Sequence, residues 1–213
     1  MYDIIKENIS VLDYYIFTTF KVPYTPIYLN KEQLKYLEGR DIAIFDFNKK
    51  EIIFTNQKPK QKNNNVRVLK LKKLQKGYVF HLFISPAFLL KNKYLFIDLK
   101  NKKFEIFSDF ESANKFIINN ILNEILTDAA KKQLKEKLKD DEYKKIYNNI
   151  IKYRPENEKR SITIKLIFSK IILIINLFLK MSRNQILALD IFKISETTCR
   201  KIIKNIKKHI NLL

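Results

Sequence analysis

The sequence predicts an α+β protein: an N-terminal, mostly antiparallel sheet with helices, a long polar connector helix, and an all-helical C-terminal unit. Three observations predict it. Apolar residues alternate with a period of two through most of 41–107, and they recur every three or four residues from Phe110 onward. The helical pattern then changes composition twice, becoming dense in Lys and Glu over 128–153 and apolar again beyond Pro155. The expected divisions are 1–127 for the α+β domain, 128–155 for the connector and 156–213 for the C-terminal domain.

The first 38 residues read as helical at both ends. Ile4, Ile5, Ile9 and Leu12 share one face, and VPYTP interrupts the pattern because Pro23 and Pro26 forbid a continued helix. Asn30 is placed to cap the short run KEQLKYLEG, with Gly39 just beyond its end. From Asp41 the period becomes two. Strands are predicted at 42–47 and 51–55 around a turn at Asn48-Lys49-Lys50, at 66–72, at 78–84, and as a hairpin over 94–107 turning at 100–103. Ser108 or Asp109 then opens a helix whose Phe110, Ala113, Phe116, Ile117, Ile121 and Leu122 form one face, expected to cover the sheet. The connector carries a thin stripe of Leu134, Leu138, Tyr143 and Ile146.

Composition bounds the function. Hydrophobic residues make up 46% of the 213-residue chain, enough apolar surface to offset the entropy of ordering. The net charge of +20 favours anionic partners. Much of it is lysine, 36 residues against 6 arginines, alongside many Asn, Ile, Phe and Tyr. A/T-rich codons would produce that bias without any function, so clustering counts for more than the total. A single cysteine, Cys199, excludes an internal disulfide and a cysteine-cluster zinc site. With no basic-then-apolar leader at the N-terminus, a cytoplasmic protein is expected. The densest apolar run, IILIINLFL at 171–179, is too short for a span of about 20 residues and reads as a buried helix.

No catalytic signature emerges, and the chain is expected not to be an enzyme and to need no cofactor or metal. His81 and His209 are far apart, and the two glycines are isolated, which removes glycine-rich phosphate loops. Asp46 and Asp98, at strand ends in separate hairpins, are the pair that a divalent cation could bridge in a nuclease; chance accounts for such pairs more often. The run Asp140-Asp141-Glu142 reads as a solvated helix face.

Two basic clusters remain. Between Lys58 and Lys76 lie Lys60, Lys62, Arg67, Lys70, Lys72 and Lys73, with no acid and with Asn63-Asn64-Asn65 among them, a loop able to lie along a phosphate backbone. The second is QILALDIFKISETTCRKIIKNI at 185–206. Its apolar positions Ala188, Leu189, Phe192, Ile194, Cys199, Ile202 and Ile203 suit two short helices crossing around a tight turn. Ser195 is placed to cap the second helix, with Glu196, Thr197 and Thr198 in its first turn and no acid thereafter. This stretch resembles the helix-turn-helix family of DNA-binding domains over 182–206, with 162–180 as the preceding scaffold helix. Lys193 stands where the family usually has glycine, a left-handed position that costs a lysine about 1 kcal/mol.

The resemblance implies that Glu196, Thr197, Thr198 and Lys201 face base edges, while Arg183, Asn184 and Arg200, with Lys204 or Lys207, meet phosphates. The expected function is sequence-specific binding of duplex DNA, as a transcriptional regulator or a mobile-element replication initiator, with self-association as a homodimer allowed and no membrane partner. The alternative is a structural RNA-binding or ribonucleoprotein component without sequence readout.

Overall fold

The computed structural model describes residues 4–6, 13–58, 65–155, 164–188 and 195–211, and the architecture is α+β. The chain forms two compact units, one spanning Leu12–Asp109 and the other combining Met1–Val11 with Phe110–Leu213.

Among the described residues the first unit is built on nine strands. Six form one sheet in the order β1 (Tyr15–Thr19), β8 (Tyr94–Asp98), β9 (Lys103–Phe107), β4 (Glu51–Thr55), β3 (Ile42–Asp46), β5 (Val66–Lys70). Three form a second sheet in the order β2 (Tyr24–Leu29), β7 (Gly77–Phe83), β6 (Lys72–Leu74), and every pairing is antiparallel. β1 packs with β2 and β5 with β7, so the small sheet meets both edges of the large one. Phe45, Leu95, Ile97 and Phe104 of the large sheet and Ile27, Phe80 and Leu82 of the small one are all buried.

Asp46 and Asp98 both turn out to organise turns. Asp46 Oδ1 accepts from the backbone N–H of Asn48 and Lys49, and Asp98 accepts from the backbone and side-chain amides of Asn101. Each carboxylate satisfies donors of its own hairpin, the local bonding that favours Asp in turns. Lys50 and Lys102 occupy left-handed positions in those turns (φ 55° and 54°), so this glycine-poor chain uses lysine where glycine is usual. Gly77 is different: at φ 111° a Cβ would lie 2.9 Å from the Leu29 carbonyl oxygen, so β7 can start there only with glycine.

Several expectations are corrected. Between the two expected helical ends of the first 38 residues the chain forms strands β1 and β2, which were not expected, while Ile9 and Leu12 of the first helical run lie outside the described residues. Their pairing partners β8 and β7 lie far along the chain, and β2 tolerates Pro26 as an edge strand. The short run after Asn30 is a 3-10 helix, Glu32–Leu37, closed by a reciprocal pair in which Asn30 Oδ1 accepts from Gln33 N and Gln33 Oε1 from Asn30 N. The predicted strand 66–72 is two strands in two sheets, divided at Leu71, whose N–H donates to the Asp41 carbonyl. A helix not anticipated, α1 (Pro86–Lys91), follows a Ser85 cap with Pro at its first position.

The second unit is helical: α2 (Phe110–Ile125), α3 (Asp128–Lys137), α4 (Asp141–Lys152), α5 (Ile164–Leu179), α6 (Arg183–Ala188) and α7 (Glu196–His209). α2, expected to cover the sheet, packs with α4 and α5 through Ala113, Ile117, Ile118 and Ile121. An amphipathic helix needs a partner for its apolar face, and its sequence does not name that partner. The connector at 128–155 is likewise part of this unit and not one helix. Thr127 caps α3; Asp140 caps α4 by accepting from Glu142 N and Tyr143 N, and Asp140, Asp141 and Glu142 are all exposed, as their run was read. Tyr147, Ile150 and Ile151 are the residues α4 buries, one turn beyond the stripe read from sequence.

At the centre stands α5, in contact with α2, α3, α4, α6 and α7 and buried on all sides from Leu166 to Ile175. It even encloses Lys170, at 0% exposure, whose Nζ donates to the Ile151 carbonyl at 2.7 Å and lies 5.2 Å from the Phe110 ring centre. The same carbonyl, in the last turn of α4, accepts from the buried Asn114 Nδ2. Among the described residues no helix is long and apolar enough to cross a membrane.

Candidate nucleic-acid interface

The two helices that carry the expected site are α6 and α7. A capping box opens α6: Ser182 Oγ accepts from Gln185 N, and Gln185 Oε1 accepts from Ser182 N at 2.9 Å. Ser195, extended at φ −64° and ψ 141°, caps α7 by accepting from Thr198 N, and its hydroxyl donates to Thr198 Oγ1 at 2.7 Å. The cap read from sequence is therefore the cap observed. The turn itself, 189–194, with Leu189, Phe192, Lys193 and Ile194, lies outside the described residues.

α7 docks on α5 through Cys199, Ile203 and Ile206, all buried, with Ile210 buried just beyond its end; Ile186 is buried on α6. Ile202, expected in the core beside Cys199, is half-buried, because the inward face of a 3.6-residue period starting at Cys199 runs through Ile203 and Ile206. Burial pushes the Cys199 thiol above its ordinary range, as suits a small apolar core residue.

The opposite face of α7 is open and basic. Thr197, Arg200, Lys201, Lys204, Asn205 and Lys208 are exposed, and Thr198 and Lys207 flank them half-buried. The only acid of the helix is Glu196. Its Oε1 accepts from Arg200 Nη2 at 2.6 Å and lies 3.6 Å from Arg183 Nη2 at the start of α6. Glu196, Arg183 and Arg200 were expected on bases and phosphates; in this structure they engage one another and tie the two helices at their N-terminal ends. Asn184, exposed, accepts from Arg183 Nη2 at 3.3 Å. The i, i+4 spacing of Glu196 and Arg200 is a sequence signal for the first pair, whereas nothing local announces Arg183.

The second basic cluster belongs to the other unit. Lys58 follows β4, Arg67 and Lys70 lie on β5 and Lys72 on β6, while Lys60 and Lys62 fall outside the described residues. Arg67, Lys70 and Lys72 thus lie in the predicted strand stretch 66–72, here divided between two sheets. Among the described residues no group of three or more His, Cys, Asp or Glu side chains is placed to hold a metal ion.

No family model matches the chain, and comparison with curated proteins and with solved structures finds no match.

Proposed function

We propose that the protein binds duplex DNA in a sequence-specific manner through α7, as a transcriptional regulator or a replication initiator. The observation that carries this reading is the division of α7 into two faces: Cys199, Ile203 and Ile206 anchor it, and Thr197, Lys201, Lys204 and Lys208 form an exposed stripe without an acid. A helix fixed on one side and basic on the other, preceded by a second short helix, is the arrangement by which a recognition helix enters a major groove. In this reading Thr197 and Lys201 meet base edges and Lys204, Lys207 and Lys208 meet phosphates, with Arg183 and Arg200 joining them once released from Glu196.

Selection of bound sequences from random duplex DNA tests it. Enrichment of a motif is the expected result, with affinity falling roughly 10³-fold between 50 and 200 mM salt if about six phosphates are engaged. Thr197→Ala with Lys201→Ala should then remove the preference for that motif. No enrichment, with structured RNA bound as well as duplex DNA and unaffected by that double substitution, would sink the reading in favour of a ribonucleoprotein component.

A further inference from the structure

The small sheet presents an outer face that neither the fold nor the duplex-binding helix uses. Along β2 the outward residues are Tyr24, Pro26 and Tyr28, and along β7 they are the exposed His81 and Phe83, with Val79 on the same side but buried. The register aligns them in rows: Tyr24 beside Phe83, Pro26 beside His81, and Tyr28 beside Val79, with Lys72 of β6 completing the last row. The inward residues Thr25, Ile27, Leu29, Phe80 and Leu82 are all buried. Outside, Tyr24 is 54% exposed, Tyr28 62% and Phe83 50%. Burial of these rings in a core would stabilise the fold by ~1.5–3 kcal/mol each, so three of them open to water on one face ask for an occupant.

The surroundings of that face select one. Between Glu51 and Asp98 the chain has no aspartate or glutamate, and β2 has none either. Lys72 lies on the face, Lys70 and Lys73 adjoin it, and Lys21 is exposed just before β2. Beside Phe83 a cavity of about 140 Å³ is lined by Phe47, Phe88, Asn65, Arg67 and Ser85. Rings in a field of lysines match a polyanion that carries flat apolar groups. Tyr24 and Tyr28 are separated by four residues of strand, ~13 Å, a spacing that accommodates unstacked bases and not a duplex, whose bases are inside. The open residues of the face, the rings of Tyr24, Tyr28, His81 and Phe83 with Pro26 and Lys72, include no carboxylate or side-chain amide to pair with a ribose hydroxyl, and stacking on them needs none.

We propose that this face binds single-stranded DNA, with bases stacked on Tyr24, Tyr28 and Phe83 and phosphates held by Lys72 and its neighbours. It is a second surface, on a different compact unit from α7, and it stands whether or not α7 reads duplex DNA.

The test uses the whole chain and fluorescence anisotropy with labelled oligothymidylate, an abasic oligomer of equal length, and oligouridylate. Tyr24→Ala with Tyr28→Ala should weaken oligothymidylate at least about 25-fold, since each stacked base contributes a factor of roughly five or more. Tyr24→Phe with Tyr28→Phe should keep the affinity, because the rings remain, and this pair controls for folding. Equal binding of the abasic oligomer, or an unchanged alanine variant, overturns the stacking surface; tighter oligouridylate reassigns it to RNA and overturns the choice of DNA. Lys201→Ala with Lys204→Ala should leave single-strand binding intact, and its loss there would place the strand on α7 and overturn the second surface. Sedimentation showing a dimer that depends on Tyr24 and Tyr28 would overturn it too, assigning the face to a second copy of this chain.

Discussion

Glu196 is the residue whose observed contacts most change its expected part. A carboxylate in the first turn of α7 is favoured by the helix dipole, and pairing it with exposed Arg200 adds only a few tenths of a kcal/mol. Its larger effect is on the surface it leaves for DNA, since it engages two of the guanidiniums that phosphates would want. Glu196→Gln should therefore lower stability by about 0.5–1 kcal/mol while tightening duplex binding and steepening its salt dependence, read by melting and by affinity at two salt concentrations. A loss of sequence preference would mean that Glu196 itself reads a base. Tyr147 offers a residue-scale test of the helical core. Its hydroxyl donates to Asn119 Oδ1, and burial pushes the phenol up to about 12 from the ordinary 10.0. The folded state thus holds the neutral form more tightly than the unfolded chain does. Its contribution is complete below pH 10 and is lost as pH rises from 10 towards 12. Tyr147→Phe should cost about 1 kcal/mol at neutral pH through the lost hydrogen bond, and denaturant melts across that range should show a shallower alkaline decline than the parent.

Among the elements, α7 shows how anchoring and recognition can be separated. Ile206 is fully buried against the helical core, so Ile206→Ala should cost ~2–5 kcal/mol and weaken DNA binding only as far as α7 comes loose. Lys201→Ala with Lys204→Ala should leave the melting temperature nearly unchanged, as exposed substitutions do, and weaken duplex binding directly. Melting curves beside binding isotherms separate the two; a strong loss of stability in the lysine variant would contradict the two-faced helix. The cap of α7 and most of its apolar face were legible in the sequence, because cap and period are local properties of consecutive residues, although Ile202 was taken for core where Ile206 is buried. The hairpins of β3–β4 and β8–β9 were legible for the same reason, through alternation either side of turns at 48–50 and 100–103, although the part Asp46 and Asp98 play in those turns was not. β1 and β2 were not, since YIFTT and YTPIYL show no clear alternation and become strands by pairing with β8 and β7. With β2 missed, the rings of Tyr24 and Tyr28 could not be placed on a face. The division between Thr127 and Asp128 expected from composition failed because Lys-rich exposed residues on α3 and α4 left only a thin apolar stripe, which missed the buried Tyr147, Ile150 and Ile151.

For the whole molecule, the consequence is a chain whose first residues belong to its last unit. The sheet unit begins at Leu12, yet the residues before it are grouped with the helices that begin at Phe110. The join is a short backbone zipper: Lys6 N donates to the Ile125 carbonyl and Thr127 N to the Ile4 carbonyl, while Ile5 is buried and bridges to Leu126. Sequence order would tie a defect at residue 5 to the strands that follow it. The contacts tie it to the junction of α2 and α3, and through α5, which packs on both, to the seat of α7. Ile5→Asp places an unpaired charge at that junction, which costs several kcal/mol if the strand stays docked, so the zipper should open. Amide hydrogen exchange should then speed up in α2 and α3, and duplex binding should weaken, while the amides of β3 and β8 keep their protection. Faster exchange confined to the sheet, with α2 and α3 unchanged, would return the N-terminal residues to the unit that follows them in sequence.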